Sequence, residues 1–127
     1  MASFLRRQQP ELDIDSDDVL CVQLAGLVHD LGHGPFSHMF ESFMVRLERK
    51  GSRDGDGEPR KAWKHEDMSA QILRRLLVTN KIDLAQYMSK DAKHEEQLNF
   101  VIMLVDGLGE SAQWPDNVGR PETKRFL

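Results

Sequence analysis

Val19-Leu20-Cys21-Val22-Gln23-Leu24-Ala25-Gly26-Leu27-Val28-His29-Asp30-Leu31-Gly32-His33-Gly34-Pro35-Phe36-Ser37-His38 is the stretch that decides how this chain is read. Ser16, Asp17 and Asp18 precede it and mark a helix start, a capping side chain with acidic residues against the positive end of the dipole. Gln23 is the main polar position until His29. A helix apolar nearly all round is a central, buried one. Gly32 and Gly34-Pro35 end it, so the helix spans about residues 16–33. Its terminus carries three imidazoles and a carboxylate, a place where a metal ion or a phosphate can be held. His33 follows His29 at i+4, on nearly the same face. His29 and Asp30 offer neutral imidazole and ionised carboxylate, ligands that a hard or borderline divalent cation accepts together. The glycines at 32 and 34 remove side chains where a substrate must approach the backbone.

Working outward, Met39, Phe40, Phe43, Met44 and Leu47 make an apolar stripe on a second helix, about 36–50, which stops at Gly51. The run KGSRDGDGEPRK (50–61) has no large apolar residue with which to offset the entropy of ordering, which predicts a mobile loop over about 51–61. A third helix, about 66–79, follows His65 with Met68, Ile72, Leu73, Leu76 and Leu77 at helical spacing. Ser89 reads as the N-cap of a fourth, about 90–106, whose apolar face is Leu98, Val101, Ile102 and Val105, with Gly107 and Gly109 as its stop. The tail from Glu110 reads as irregular. Neither an internal repeat nor an alternating strand pattern is visible, and the class is all-α.

At 127 residues the chain supports one domain with a modest core, and 39% hydrophobic and 30% charged residues suit a globular protein. A formal net charge of -4 argues against a nucleic-acid surface spread over the whole domain. Cys21 is the lone cysteine and reads as a small buried hydrophobe, so a reducing compartment fits best. No apolar run approaches a membrane span and no secretory leader is visible, so the expected setting is intracellular, in the nucleus or the cytoplasm.

His29-Asp30-Leu31-Gly32-His33-Gly34-Pro35-Phe36-Ser37-His38, within a segment from about Asp18 to Glu41, resembles the HD-domain phosphohydrolases. In particular it resembles the deoxynucleoside triphosphate triphosphohydrolases that combine an HD domain with a sterile alpha motif. Gln9-Pro10-Glu11-Leu12, Trp63-Lys64-His65-Glu66, Trp114-Pro115 and Gly119-Arg120-Pro121-Glu122 agree in order, so the resemblance covers most of the chain outside its middle. A bare His-Asp pair is weak evidence; HDLGHGPFSH with a downstream WKHE is strong. The resemblance implies a partial HD-domain helical bundle over residues 1–127. It also implies metal-dependent hydrolysis of a deoxynucleoside triphosphate to deoxynucleoside plus triphosphate.

By the same resemblance His29 and Asp30 are metal ligands, His33 and His65 lie beside the α-phosphate, Glu41 orients one of them, and His38 contacts phosphate or sugar. A divalent ion (Fe, Zn, Mn or Mg), deoxynucleoside triphosphates and a homo-oligomer are the implied cofactor and partners. Two departures stand out. The family's site has four ligands, but residues 1–8 contain no histidine upstream of QPEL, and the downstream Asp belongs beyond the GRPE segment. Two of the four are therefore absent, and the expectation for this polypeptide alone is an incomplete, inactive fragment; the alternative is a non-catalytic HD-fold interaction or regulatory module. Glu41 also stands where the family usually carries Asp, one methylene shorter. A cyclic-nucleotide or guanosine-tetraphosphate hydrolase on the same framework is disfavoured by GHGPFSH and WKHE. His94, in KDAKHEEQ, reads as a solvated charged-face residue. Trp63 and Trp114 read as small-core anchors, and Gly107-Leu108-Gly109, with no helix after it, not as a phosphate loop.

Overall fold

The computed structural model of the chain describes residues 1–51, 63–108 and 112–127. Those residues form helices α1 (Ala2–Gln8), α2 (Ser16–Val28), α3 (His38–Gly51), α4 (His65–Asn80) and α5 (His94–Asp106). Short 3-10 turns lie at Pro10–Leu12, Leu84–Tyr87, Asp116–Val118 and Glu122–Lys124, and no strand occurs among the described residues. The class is all-α. Apart from Gly51, the last residue of α3, the segment expected to be a mobile loop lies outside the described residues.

The core is the seam between α2, α4 and α5. Cys21, Ala25 and Val28 of α2 meet Leu73 and Leu77 of α4 and Leu98, Phe100 and Val101 of α5, with Leu84 and Val118 closing the ends. Their spacing along each helix follows the 3.6-residue period, so each helix turns one stripe inward. Burial of α2 is one-sided, however: Leu27 is 76% exposed and Leu31 is also uncovered. No polar face along the helix distinguishes the two sides, and among the described residues nothing covers Leu27 on the second.

The start of α2 departs from the expected capping by Ser16. Asp15 is the N-cap: it accepts the Asp18 amide at 2.7 Å, while Asp18 accepts the Asp15 amide at 3.0 Å, a reciprocal capping box. Asp18 is more than a charge placed near a dipole. It is fully buried, and two cations from the tail close on it. Arg120 Nε donates to it at 2.5 Å, and Lys124 Nζ donates to its other oxygen and to the Asp13 carbonyl at 2.5 Å. Arg120 also donates to Gln97 at 2.8 Å and lies 4.9 Å over the Phe100 ring. Burial pushes the Asp18 carboxyl up, but hydrogen bonds from Lys124, the Asp15 amide and Arg120 outweigh that and hold it below the ordinary carboxylate value. The tail, expected as merely irregular, thus docks into the core through two short turns. Trp114 anchors it, donating from Nε1 to the Arg120 carbonyl at 2.6 Å.

Two further expectations are corrected. Helix α5 starts at His94 rather than near Lys90, because Ser89 is not a cap: its amide is held by the buried Asp17 carboxylate at 3.1 and 3.2 Å. His94 is not simply solvated. Its Nδ1 accepts the Leu84 amide at 3.0 Å, with the Asp83 carboxylate 3.2 Å away, so the ring fastens the Leu84–Tyr87 turn to the head of α5. The short helix α1 carries no periodic stripe long enough to be read from sequence.

Removing one partner of a buried charge cluster leaves the others uncompensated, so Asp18→Asn is expected to lower stability by about 3–5 kcal/mol in urea titrations. Because the folded carboxyl lies below its unfolded value, its contribution is present above the unfolded value and is lost as pH falls towards the folded one. Wild type should accordingly lose stability through the acid range more steeply than Asp18→Asn. His94→Ala should cost on the order of 1 kcal/mol in the same titrations, by stranding the Leu84 amide; no change would show that water replaces the ring.

Candidate functional site

The α2 helix ends at Val28 rather than continuing to 33, with His29 as a C-cap still in helical geometry. Beyond it the chain runs through successive turns, closed by bonds from Leu31 N to the Val28 carbonyl, His33 N to Asp30 and Ser37 N to Gly34 at 3.0–3.1 Å. Ser69 of α4, fully buried, stitches this loop down: its hydroxyl donates to the His29 carbonyl at 2.7 Å and accepts the Gly32 amide at 2.8 Å. Ser69 was not singled out from sequence, where its only signal is a small polar residue on an otherwise apolar helix face.

The glycines have a different cause from the one expected. A Cβ on Gly32 would collide with the backbone of His65 and Ser69, and one on Gly34 with the Phe40 ring. Both make room for the protein's own elements, bringing the loop against the head of α4 and the first turn of α3. Phe36 and Ser37 then take left-handed backbone conformations (φ 66 and 50), a costly arrangement for two successive non-glycine residues. Their strain sets the angle at which α3 leaves the loop.

This packing brings the six residues singled out from sequence into one patch. His29 Nδ1 faces the Gly26 carbonyl at 2.8 Å; a carbonyl only accepts, so Nδ1 carries a proton and Nε2 is the nitrogen left for a ligand. That Nε2 lies 3.1 Å from Asp30 Oδ2, and the two side chains are 54% and 61% exposed. Two lone-pair donors at that separation need a proton or a cation between them, so the pair fits a metal ligand role. The other Asp30 oxygen lies 3.4 Å from His33 Nε2.

His33 stacks on His65 with ring centroids 3.9 Å apart and planes 14° from parallel, and His38 meets His33 edge-on at 5.0 Å. Glu41 Oε2 lies 3.5 Å from His65 Nδ1 and 3.7 Å from His38 Nδ1. Glu66, a second carboxylate that sequence reasoning did not assign, is 3.4 Å from the same His65 nitrogen. Two stacked imidazoles repel if both are charged, and Asp30 on one side with Glu41 and Glu66 on the other supply the compensating charge. The Trp63 ring packs edge-on against Phe40 at 5.5 Å, joining the heads of α3 and α4. His94 lies in none of these contacts.

An HD-domain family model matches residues 1–113. The chain is 41% identical, over 97% of its length, to a protein of Gallus gallus named deoxynucleoside triphosphate triphosphohydrolase SAMHD1, and covers 19% of that relative. The proteins of the same name from Homo sapiens (42% identity, 97% of this chain, 18% of the relative) and Danio rerio (41%, 100% and 20%) are similar. The chain spans about a fifth of the length of these relatives. With its family match covering most of the sequence and its His-Asp pair set at the end of a buried helix, the chain belongs to the HD-domain family.

Proposed function

We propose that this chain carries the substrate-facing loop of a metal-dependent HD phosphohydrolase that cleaves a deoxynucleoside triphosphate into deoxynucleoside and triphosphate. The observation that carries the reading is the convergence of His29, Asp30, His33, His38, Glu41 and His65 on one patch. The names and similarity of the relatives supply the substrate class.

In this reading His29 and Asp30 hold the divalent ion. When bound, the ion lowers the pKa of water and offsets phosphate charge. Hydrolysis joins a water oxygen to the α-phosphorus and breaks its bond to the sugar oxygen, which leaves with a proton. His33 and His65, flat against each other, present N–H groups to the phosphate, where positive charge offsets the growing negative charge. Glu41, which can only accept, holds a proton on His65 Nδ1, so the N–H that His65 turns to the phosphate is that of the imidazolium. His38, edge-on to His33, is in this reading a phosphate or sugar contact.

A homo-oligomer belongs to the same proposal, supported by the uncovered apolar stripe of Phe36, Met39, Phe43 and Leu47. An intracellular setting, nucleus or cytoplasm, belongs to the same proposal, supported by the chain's single cysteine, the buried and free Cys21. Among the described residues no helix is long and apolar enough to cross a membrane. The exposure of His29 and Asp30, 54% and 61%, favours the second reading, a non-catalytic HD-fold module.

With the His29–Asp30 pair this open to water, the 127-residue chain should hold a divalent ion weakly and release triphosphate from dGTP at least roughly 100-fold more slowly than a full-length relative, since even the loss of an outer-shell partner costs about 10–100-fold. Turnover at a rate typical of enzymes by the pure chain would remove the exposure argument. In a form that turns over, His29→Ala and Asp30→Ala should lose the metal. His33→Ala and His65→Ala should keep it and lose turnover by on the order of 100-fold or more, as read by metal analysis beside triphosphate release. Metal loss in His65→Ala with retention in His29→Ala would overturn the assignment.

A further inference from the structure

His94 stands outside the patch of site residues, and its ring is held between two partners that ask opposite things of one nitrogen. Nδ1 lies 3.0 Å from the Leu84 amide and 3.2 Å from Asp83 Oδ1. The amide can only donate and needs a bare lone pair on that nitrogen; the ionised carboxylate can only accept and needs a proton there. One nitrogen cannot serve both at once. In the neutral ring Nδ1 takes the Leu84 amide, and Asp83 Oδ1 is left to the Ala85 amide, 2.9 Å away, as N-cap of the Leu84–Tyr87 turn. In the imidazolium Nδ1 donates to Asp83, and the Leu84 N–H then points at another N–H and has lost its acceptor.

We propose that His94 is a proton-operated latch, fastening the Leu84–Tyr87 turn to the head of α5 when its ring is neutral and releasing it when the ring is charged. Two features act on that charge in opposite senses: Asp83 favours the imidazolium, and the positive end of α5, which His94 opens, disfavours it. The other charged groups around the junction are engaged elsewhere. Lys93 pairs with Glu96 at 2.7 Å on α5, Glu95 lies 4.0 Å from Arg74 of α4, and Asp17 of α2 holds the Ser89 amide. Tyr87, Lys90 and Asp91, on the connection into α5, face solvent. The His94 side chain is 28% exposed, so a proton reaches it without unfolding. The latch has leverage because Leu84 is buried and closes one end of the core, so a backbone rotation that finds its amide a water also draws the side chain from the seam. The Asp17–Ser89 tie lies beyond the turn and confines the release to it.

The latch is tested by NMR on the purified 127-residue chain between about pH 8 and about pH 5. The His94 ring resonances follow its protonation, and hydrogen exchange at the Leu84 amide, corrected for the intrinsic rate, follows the turn. Leu84 protection should fall by about tenfold or more as the ring charges, with the same midpoint, while the Val101 amide in the core stays protected. His94→Asn sets an amide oxygen at the Nδ1 position that accepts without titrating, so it should keep Leu84 protected at both ends of the range. Asp83→Asn should move the midpoint to lower pH, since the charged ring loses its attracting carboxylate. A ring that stays neutral throughout, Leu84 protection that ignores the ring's titration, or wild-type pH dependence in His94→Asn each overturns the proposal. None of these results bears on the phosphohydrolase reading, in which His94 takes no part.

Discussion

Asp18 sits at the first turn of α2 with its carboxylate out of contact with solvent, and Arg120 and Lys124 arrive from more than a hundred residues away to neutralise it. A buried charge is tolerated only when every lone pair is used. Here the Asp15 amide, a guanidinium and an ammonium share the task, and Gln97 ties the guanidinium to α5. This one cluster fixes the tail, the head of α2 and the middle of α5 relative to each other. Its net worth against an apolar substitute is small or negative, since desolvation offsets much of the Coulombic gain. Its effect is to hold one register of the seam.

Helix α2 transmits that register to its far end. The core residues Cys21, Ala25 and Val28 leave no slack between the clamp and His29, and the Ser69 hydroxyl then pins the loop at two backbone points. The candidate site is therefore built on a helix terminus braced from both sides, with His65 offered by the element that does the bracing. Gly32 is what permits so short a distance between them. Helix α3 is held differently: it joins the rest through the strained Phe36–Ser37 link and through contacts at its first turn, leaving Phe43 and Leu47 uncovered.

The helical class and the chief core stripes were readable from spacing, which depends on local order along the chain, and the six clustered site residues from the family resemblance carried by HDLGHGPFSH and WKHE. What escaped was long-range. Asp18 looked like any acidic residue near a helix start; only the arrival of Arg120 and Lys124 makes it internal. Ser89 had the side chain of a cap, but Asp17 takes its amide and moves the start of α5 to His94. The apolar pattern of α2 ran on through Leu31, whereas the helix stops at Val28, where Ser69 takes the His29 carbonyl and the chain turns. Glu66 and Ser69 gain meaning only once α4 is laid against the loop.

Cys21 is wholly enclosed between α2 and α5, its sulfur 3.5 Å from the same Gln97 oxygen that receives Arg120. Such a thiol meets an alkylating reagent only when the seam itself parts. As the chain's single cysteine it is a built-in clock: its labelling rate counts openings of the whole α2–α5 interface and ignores fraying at the surface.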